Sequence, residues 1–128
     1  MEYYFSKTIQ GDFDTVEKKA VEELKREGFG VITEIDMQAK LKEKLGKDIG
    51  KYKIIGACNP PYAYNALLVE DRIGVMLPCN VAIIDRENGY TEVVAINPSV
   101  SMLAVENPEL KPMASEVTNK LRAFIQRL

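Results

Sequence analysis

The residues with the widest chemical range in this 128-residue chain are its two cysteines, and both sit in the same setting. Cys58-Asn59 runs directly into Pro60, and Cys79-Asn80 directly follows Pro78. A thiolate can act as a nucleophile, a redox centre or a soft-metal ligand, and a helix N-terminus close by lowers its pKa. Cys58 meets that condition, because Asn59-Pro60-Pro61 reads as a cap followed by proline in an opening helical turn. The opposing reading is the ordinary fate of free cysteine, a small buried core residue at a strand end. No C-x-x-C spacing supplies a local redox signature.

A Cu(I) site would draw further sulfur from Met76 or Met102. In a regular strand, however, Met76 shares a face with Pro78 and points away from Cys79. With two thiols and no imidazole, no metal and no other cofactor is expected. The absence of histidine also removes Ser-His and Cys-His catalysis and His-bound zinc. No phosphate-binding glycine loop and no nucleophile elbow is present. No catalytic residue is assigned, and whether the protein is an enzyme stays open.

The two asparagines differ in what they ask of the fold. Asn59 is accounted for as a helix cap. Asn80 lies inside a strand pattern, where asparagine is disfavoured and, if buried, must find partners. Glu34 and Asp36 are two apart and share a strand face, the placement that paired carboxylate chemistry needs. Asp36 is better explained as a cap, and Glu34 as the partner of Lys44 or Lys53. Tyr62 and Tyr64 suit either a pocket for a flat ligand or an interface.

The elements that must position these residues follow from the pattern. Tyr3–Ile9 alternates as a strand, Gly11-Asp12 breaks it, and Asp12 or Asp14 caps a helix with Phe13, Val16, Ala20, Val21 and Leu24 on one face. Gly28 ends that helix. Phe29–Ile35 is a second strand, with Phe29, Val31, Thr33 and Ile35 on one side. A shorter helix follows over Met37–Leu45, from Asp36 as cap to Gly46 as stop. Lys51–Ala57 is a third strand, and a helix runs from the Asn59-Pro60-Pro61 cap to about Val69. Ile73–Asp85 reads as the longest strand, with Pro78 at an edge, a bulge or the strand's beginning. Asn88-Gly89 marks a hairpin, and Thr91–Ile96 is its return strand. Val100–Val105 is open between a short helix and an extended segment. The C-terminal helix starts near Lys111, because Pro112 is tolerated only in a first turn.

This order predicts an α+β fold over residues 1–128, one domain with a mainly antiparallel sheet and helices on one face. An uncovered second face would need a partner, which predicts a homodimer. Hydrophobic residues make up 46% and charged residues 28%, the balance of a soluble globular chain. Net charge is −2 with acids mixed among the bases, so neither nucleic acid nor a membrane surface is expected as a partner. With no bilayer-length apolar run and no signal-peptide pattern at the N-terminus, the expected location is the cytoplasm, where both cysteines stay reduced.

Three blocks carry a family resemblance: Phe29–Gly46, Ile54–Pro61 and Leu77–Val81. Together they resemble the domain of unknown function 302, the DUF302 or TT1751-like family, over nearly the whole chain. The resemblance implies a TBP-like α+β arrangement, a sheet with helices on one side, in small bacterial and archaeal proteins that can form dimers. It implies no activity. Cys58, Asn59, Pro60, Leu77, Pro78, Cys79 and Asn80 fall within its signature, as do Glu34, Asp36 and Lys44.

The expectation is a domain that binds a small molecule or acts as a scaffold. Its ligand-binding residues are Cys58, Asn59, Pro60, Pro78, Cys79 and Asn80, gathered in one cleft or dimer seam. The alternative is a thiol-dependent redox protein or enzyme that uses Cys58 and Cys79.

Overall fold

The computed structural model describes residues 2–128. Five strands, β1 (Tyr4–Gln10), β2 (Gly30–Asp36), β3 (Tyr52–Cys58), β4 (Cys79–Asp85) and β5 (Tyr90–Ile96), form one sheet in the order β1-β5-β4-β3-β2. Every neighbouring pair is antiparallel, so α+β with an antiparallel sheet is the architecture. The five helices are α1 (Phe13–Arg26), α2 (Met37–Leu45), α3 (Pro60–Val69), α4 (Pro98–Ser101) and α5 (Lys111–Gln126).

One sheet face carries the core. Ile55 and Ala57 of β3, Val81 and Ile83 of β4, and Val93 and Ala95 of β5 alternate onto it and are fully buried. Against them pack Phe13, Val16, Ala20 and Leu24 of α1 and Val117, Leu121, Phe124 and Ile125 of α5. The two helices are tied where their ends meet by Arg127, whose Nε donates to Glu23 Oε2 at 2.8 Å.

Local signals explain most boundaries. Asp12 accepts from the Thr15 amide at 2.7 Å to open α1, and Asp36 accepts from the Ala39 amide at 2.9 Å to open α2. Gly46 closes α2 in the left-handed conformation at φ 67°. The β4–β5 hairpin turns through Glu87, Asn88 and Gly89, all at positive φ.

The structure departs from the sequence reading in three places. First, a register shift between Val31 and Thr33 bulges β2. Val31 pairs with core-facing Ala57, whereas Thr33 pairs with Gly56 and Ile35 with Ile54 on the opposite face. Phe29, Val31, Thr33 and Ile35 therefore do not share a side. Second, Asp71–Met76 is 3-10 helix rather than strand, and β4 begins only after Pro78. Third, Lys53 pairs with Glu17 at 2.8 Å rather than with Glu34. Val100–Val105, open in the sequence, resolves to the helical side: α4 ends at Ser101 and a 3-10 turn occupies Met102–Ala104.

The second sheet face carries no long helix. Tyr4, Ile54, Ile84, Val94 and Ile96 are half-buried there, and Ile35 joins them 43% exposed.

Candidate functional site

Beside the main core, at the end of the sheet where β3 finishes and β4 begins, lies an apolar cavity of about 360 Å³. Antiparallel register creates this meeting point. Ala57 pairs with Cys79, so the last residues of β3 and the first of β4 are neighbours although they are far apart in sequence. The sheet end contributes Ala57, Cys58 and Cys79 to the cavity, α3 contributes Ala63, Ala66 and Leu67, and α5 contributes Met113, Ala114 and Val117. Ile73, Leu77-Pro78, Met102 and Leu110 line it from the short segments between these elements, Pro98 from the start of α4, and Phe29, Ile32, Asn59 and Tyr62 complete it. Small side chains on facing helices leave the space: three of the residues from α3 and α5 are alanines.

Cys58, Asn59, Pro78 and Cys79 all line this cavity. Pro60 and Asn80 do not join them. Pro60 is exposed in the first turn of α3, where its missing N–H costs nothing. Asn80 follows Cys79 by one residue and so turns to the opposite sheet face, where it is exposed. An exposed amide needs no partner from the protein, which accounts for an asparagine inside a strand.

Asn59 occupies the N-cap position of α3 but makes no capping hydrogen bond. Proline at the first two helical positions removes the amide an N-cap side chain would otherwise bind at the second. Its Nδ2 donates instead to the Glu27 carbonyl at 3.0 Å, across the turn that ends α1. Gly28, at φ +87°, makes room: a Cβ there would stand 3.1 Å from Asn59 Nδ2.

Burial pushes the Cys79 thiol up to about 11, with the nearby Cys58 adding to the rise. Tyr62 is also raised, first by its hydrogen bond to Glu116 and then by burial. Among the described residues, no Asp, Glu, Lys or Arg lines the cavity. It offers an apolar surface, one carboxamide, a phenol and two thiols, with the Met102 and Met113 thioethers as further soft donors. Among the described residues, no group of three or more Cys, His, Asp or Glu is placed to hold a metal ion.

The residues that sequence reasoning missed, Phe29, Ile73, Met113 and Val117 among them, come from other elements. In the sequence they read as ordinary apolar positions. The one signal available was the Ala63/Ala66 spacing, which sets two small residues on one side of α3.

The family model described as "Domain of unknown function DUF302" matches residues 5–128. The chain belongs to the DUF302 family. The crystal structure of an uncharacterized conserved DUF302 protein from Bacillus stearothermophilus superposes with a TM-score of 0.89 at 28% identity, covering 99% of this chain and 98% of that one. No curated protein matches the chain. The three blocks that carried the resemblance correspond to the bulged β2 with α2, the β3–α3 corner, and the beginning of β4. All three line the cavity, the first through Phe29 and Ile32, the second through Cys58 and Asn59, and the third through Leu77, Pro78 and Cys79. Among the described residues, no helix is long and apolar enough to cross a membrane.

Proposed function

We propose that this DUF302 chain is a small-ligand-binding domain whose site is the cavity at the two Cys-Asn corners. One observation carries the reading: both corners meet at a single apolar space of about 360 Å³. That lies within the roughly 300–1,000 Å³ range of small-molecule pockets, which are mostly apolar with a few polar groups that orient the ligand. The thiol-dependent alternative is less well supported. With Cys79 pushed up to about 11, only about one Cys79 side chain in ten thousand is a thiolate at pH 7.

The test is a titration with the neutral apolar dye 1-N-phenylnaphthylamine. A saturable, blue-shifted fluorescence rise is expected. Ala114→Trp, which fills the cavity from α5, should abolish it while leaving the circular dichroism spectrum native. No saturable signal from the native protein would end the proposal.

We further infer that the open sheet face pairs with a second copy of the chain. Five strands about 4.8 Å apart and seven residues long at about 3.3 Å each present roughly 550 Å². Two such faces bury roughly 1,100 Å², just above the size that a specific interface needs. The row Ile35, Ile54, Ala82 and Val94 runs across that face, and the Arg86–Glu92 ion pair stands among its bounding residues.

A further inference from the structure

The Asn59 carboxamide restricts what the cavity accepts. The Glu27 carbonyl can only accept, so the Asn59 atom facing it is the nitrogen, and Oδ1 is left as the acceptor. No described donor is bonded to that oxygen, since the cap bond to α3 is not made. Asn59 is 9% exposed and lines the cavity, and among the described residues no fully buried side-chain oxygen lacks a partner, so this unbonded acceptor keeps an accessible surface beside the apolar space. Nothing in the lining carries a charge.

We propose, resting on the ligand-binding reading above, that the cavity selects a neutral, largely apolar small molecule with one O–H or N–H donor directed at Asn59 Oδ1. A carboxylate or phosphate would be desolvated with no cation to meet it, and would set negative charge against the Asn59 oxygen. A pure hydrocarbon would leave that oxygen unpaired. At about 30 Å³ per water-sized group, the space holds on the order of twelve non-hydrogen atoms, the size of a bicyclic phenol, a medium-chain alcohol or amide, or the naphthylamine half of the dye, whose phenyl ring extends into the mouth. The mouth matches this class. Ile32 and Leu67 both line the cavity and reach solvent, and α3 beyond them exposes Tyr64 and Leu68 at 65% and 66%. A chain longer than the cavity would continue over apolar surface.

Displacement of bound 1-N-phenylnaphthylamine by three probes of one shape tests the proposal at pH 7: 2-naphthol, 2-methylnaphthalene and 2-naphthoate. The expected order places 2-naphthol about fivefold to tenfold tighter than 2-methylnaphthalene, the worth of one hydrogen bond, with 2-naphthoate a poor competitor. Asn59→Ala should erase the difference between the first two, and if that variant does not fold, the native ranking alone decides. Equal binding of 2-naphthol and 2-methylnaphthalene, or tightest binding of 2-naphthoate, would overturn the donor requirement while leaving an apolar binding site intact. Failure of the dye itself to bind would overturn the ligand-binding reading as well.

Discussion

Asn59 Nδ2 lies 3.0 Å from the Glu27 carbonyl oxygen, and this bond pins the corner that begins α3 to the turn that ends α1. It joins two segments 32 residues apart and forms one wall of the cavity. Gly28 is what lets the carboxamide lie against that turn.

Gly28→Ala should therefore cost stability twice, through a left-handed backbone and through a methyl 3.1 Å from Asn59 Nδ2. A loss of about 1–3 kcal/mol is expected in urea unfolding. An effect within error would mean that the corner is not held by this contact.

Gly56 faces a tighter constraint of another kind. Its backbone is ordinary, but a Cβ would lie 2.6 Å from Pro78 Cγ and 2.1 Å from Thr33 Oγ1. Thr33 can rotate away, whereas the proline ring cannot. Gly56→Ala is expected to lower stability by about 1–3 kcal/mol, and removing the threonine side chain in the same protein should restore only part of it. Gly30→Ala is the control, because nothing lies within 4 Å of its added methyl. Unfolding midpoints of the three variants separate these outcomes.

Cys79 makes stability fall in alkali. Its thiol ordinarily titrates at 9.0 and is pushed to about 11 in the fold, chiefly by burial. Between those values the folded chain holds more protons than the unfolded one, so stability decreases as pH rises. The contribution is whole below about pH 9 and lost on approaching about 11, roughly 2–3 kcal/mol over two pH units. Tyr62, also raised, acts with the same sign. Unfolding curves of the native chain and of Cys79→Ala across that window isolate the thiol: the native curve should fall more steeply, and parallel curves would disprove it.

The open face should govern association. Val94→Glu and Ile54→Glu place a charge in the middle of the cross-strand row of that face. Light scattering behind size exclusion is expected to shift from dimer to monomer with the fold retained. A native chain that is monomeric at every concentration, or variants that stay dimeric, would remove the pairing.

The sequence was a good guide wherever the cause is local. Asp36 and Gly46 bound α2 as read, Pro112 sets the start of α5 in its first turn, and the Asn88-Gly89 hairpin joins β4 to β5. In each case a side chain or a backbone conformation acts on residues a few positions away. The bulge in β2 is different. Val31, Thr33 and Ile35 alternate correctly for one face, yet pairing with β3 inserts an extra residue and moves two of them to the other. Ile73–Met76 reads as apolar and β-branched, but the segment must turn onto the end of the sheet, and Ile73 is buried there in 3-10 conformation.

The same division runs through the site. Residue type and spacing were enough to single out the two Cys-Asn corners and to assign the α+β class, because composition and alternation are properties of the chain alone. Which residues face the cavity was settled by packing. Strand pleating sends Cys79 inward and Asn80 outward, consecutive prolines turn Asn59 from its own helix to Glu27, and α3 and α5 enclose a space none of them encodes separately. A cavity is what remains between elements, so it exists only once their distances are set.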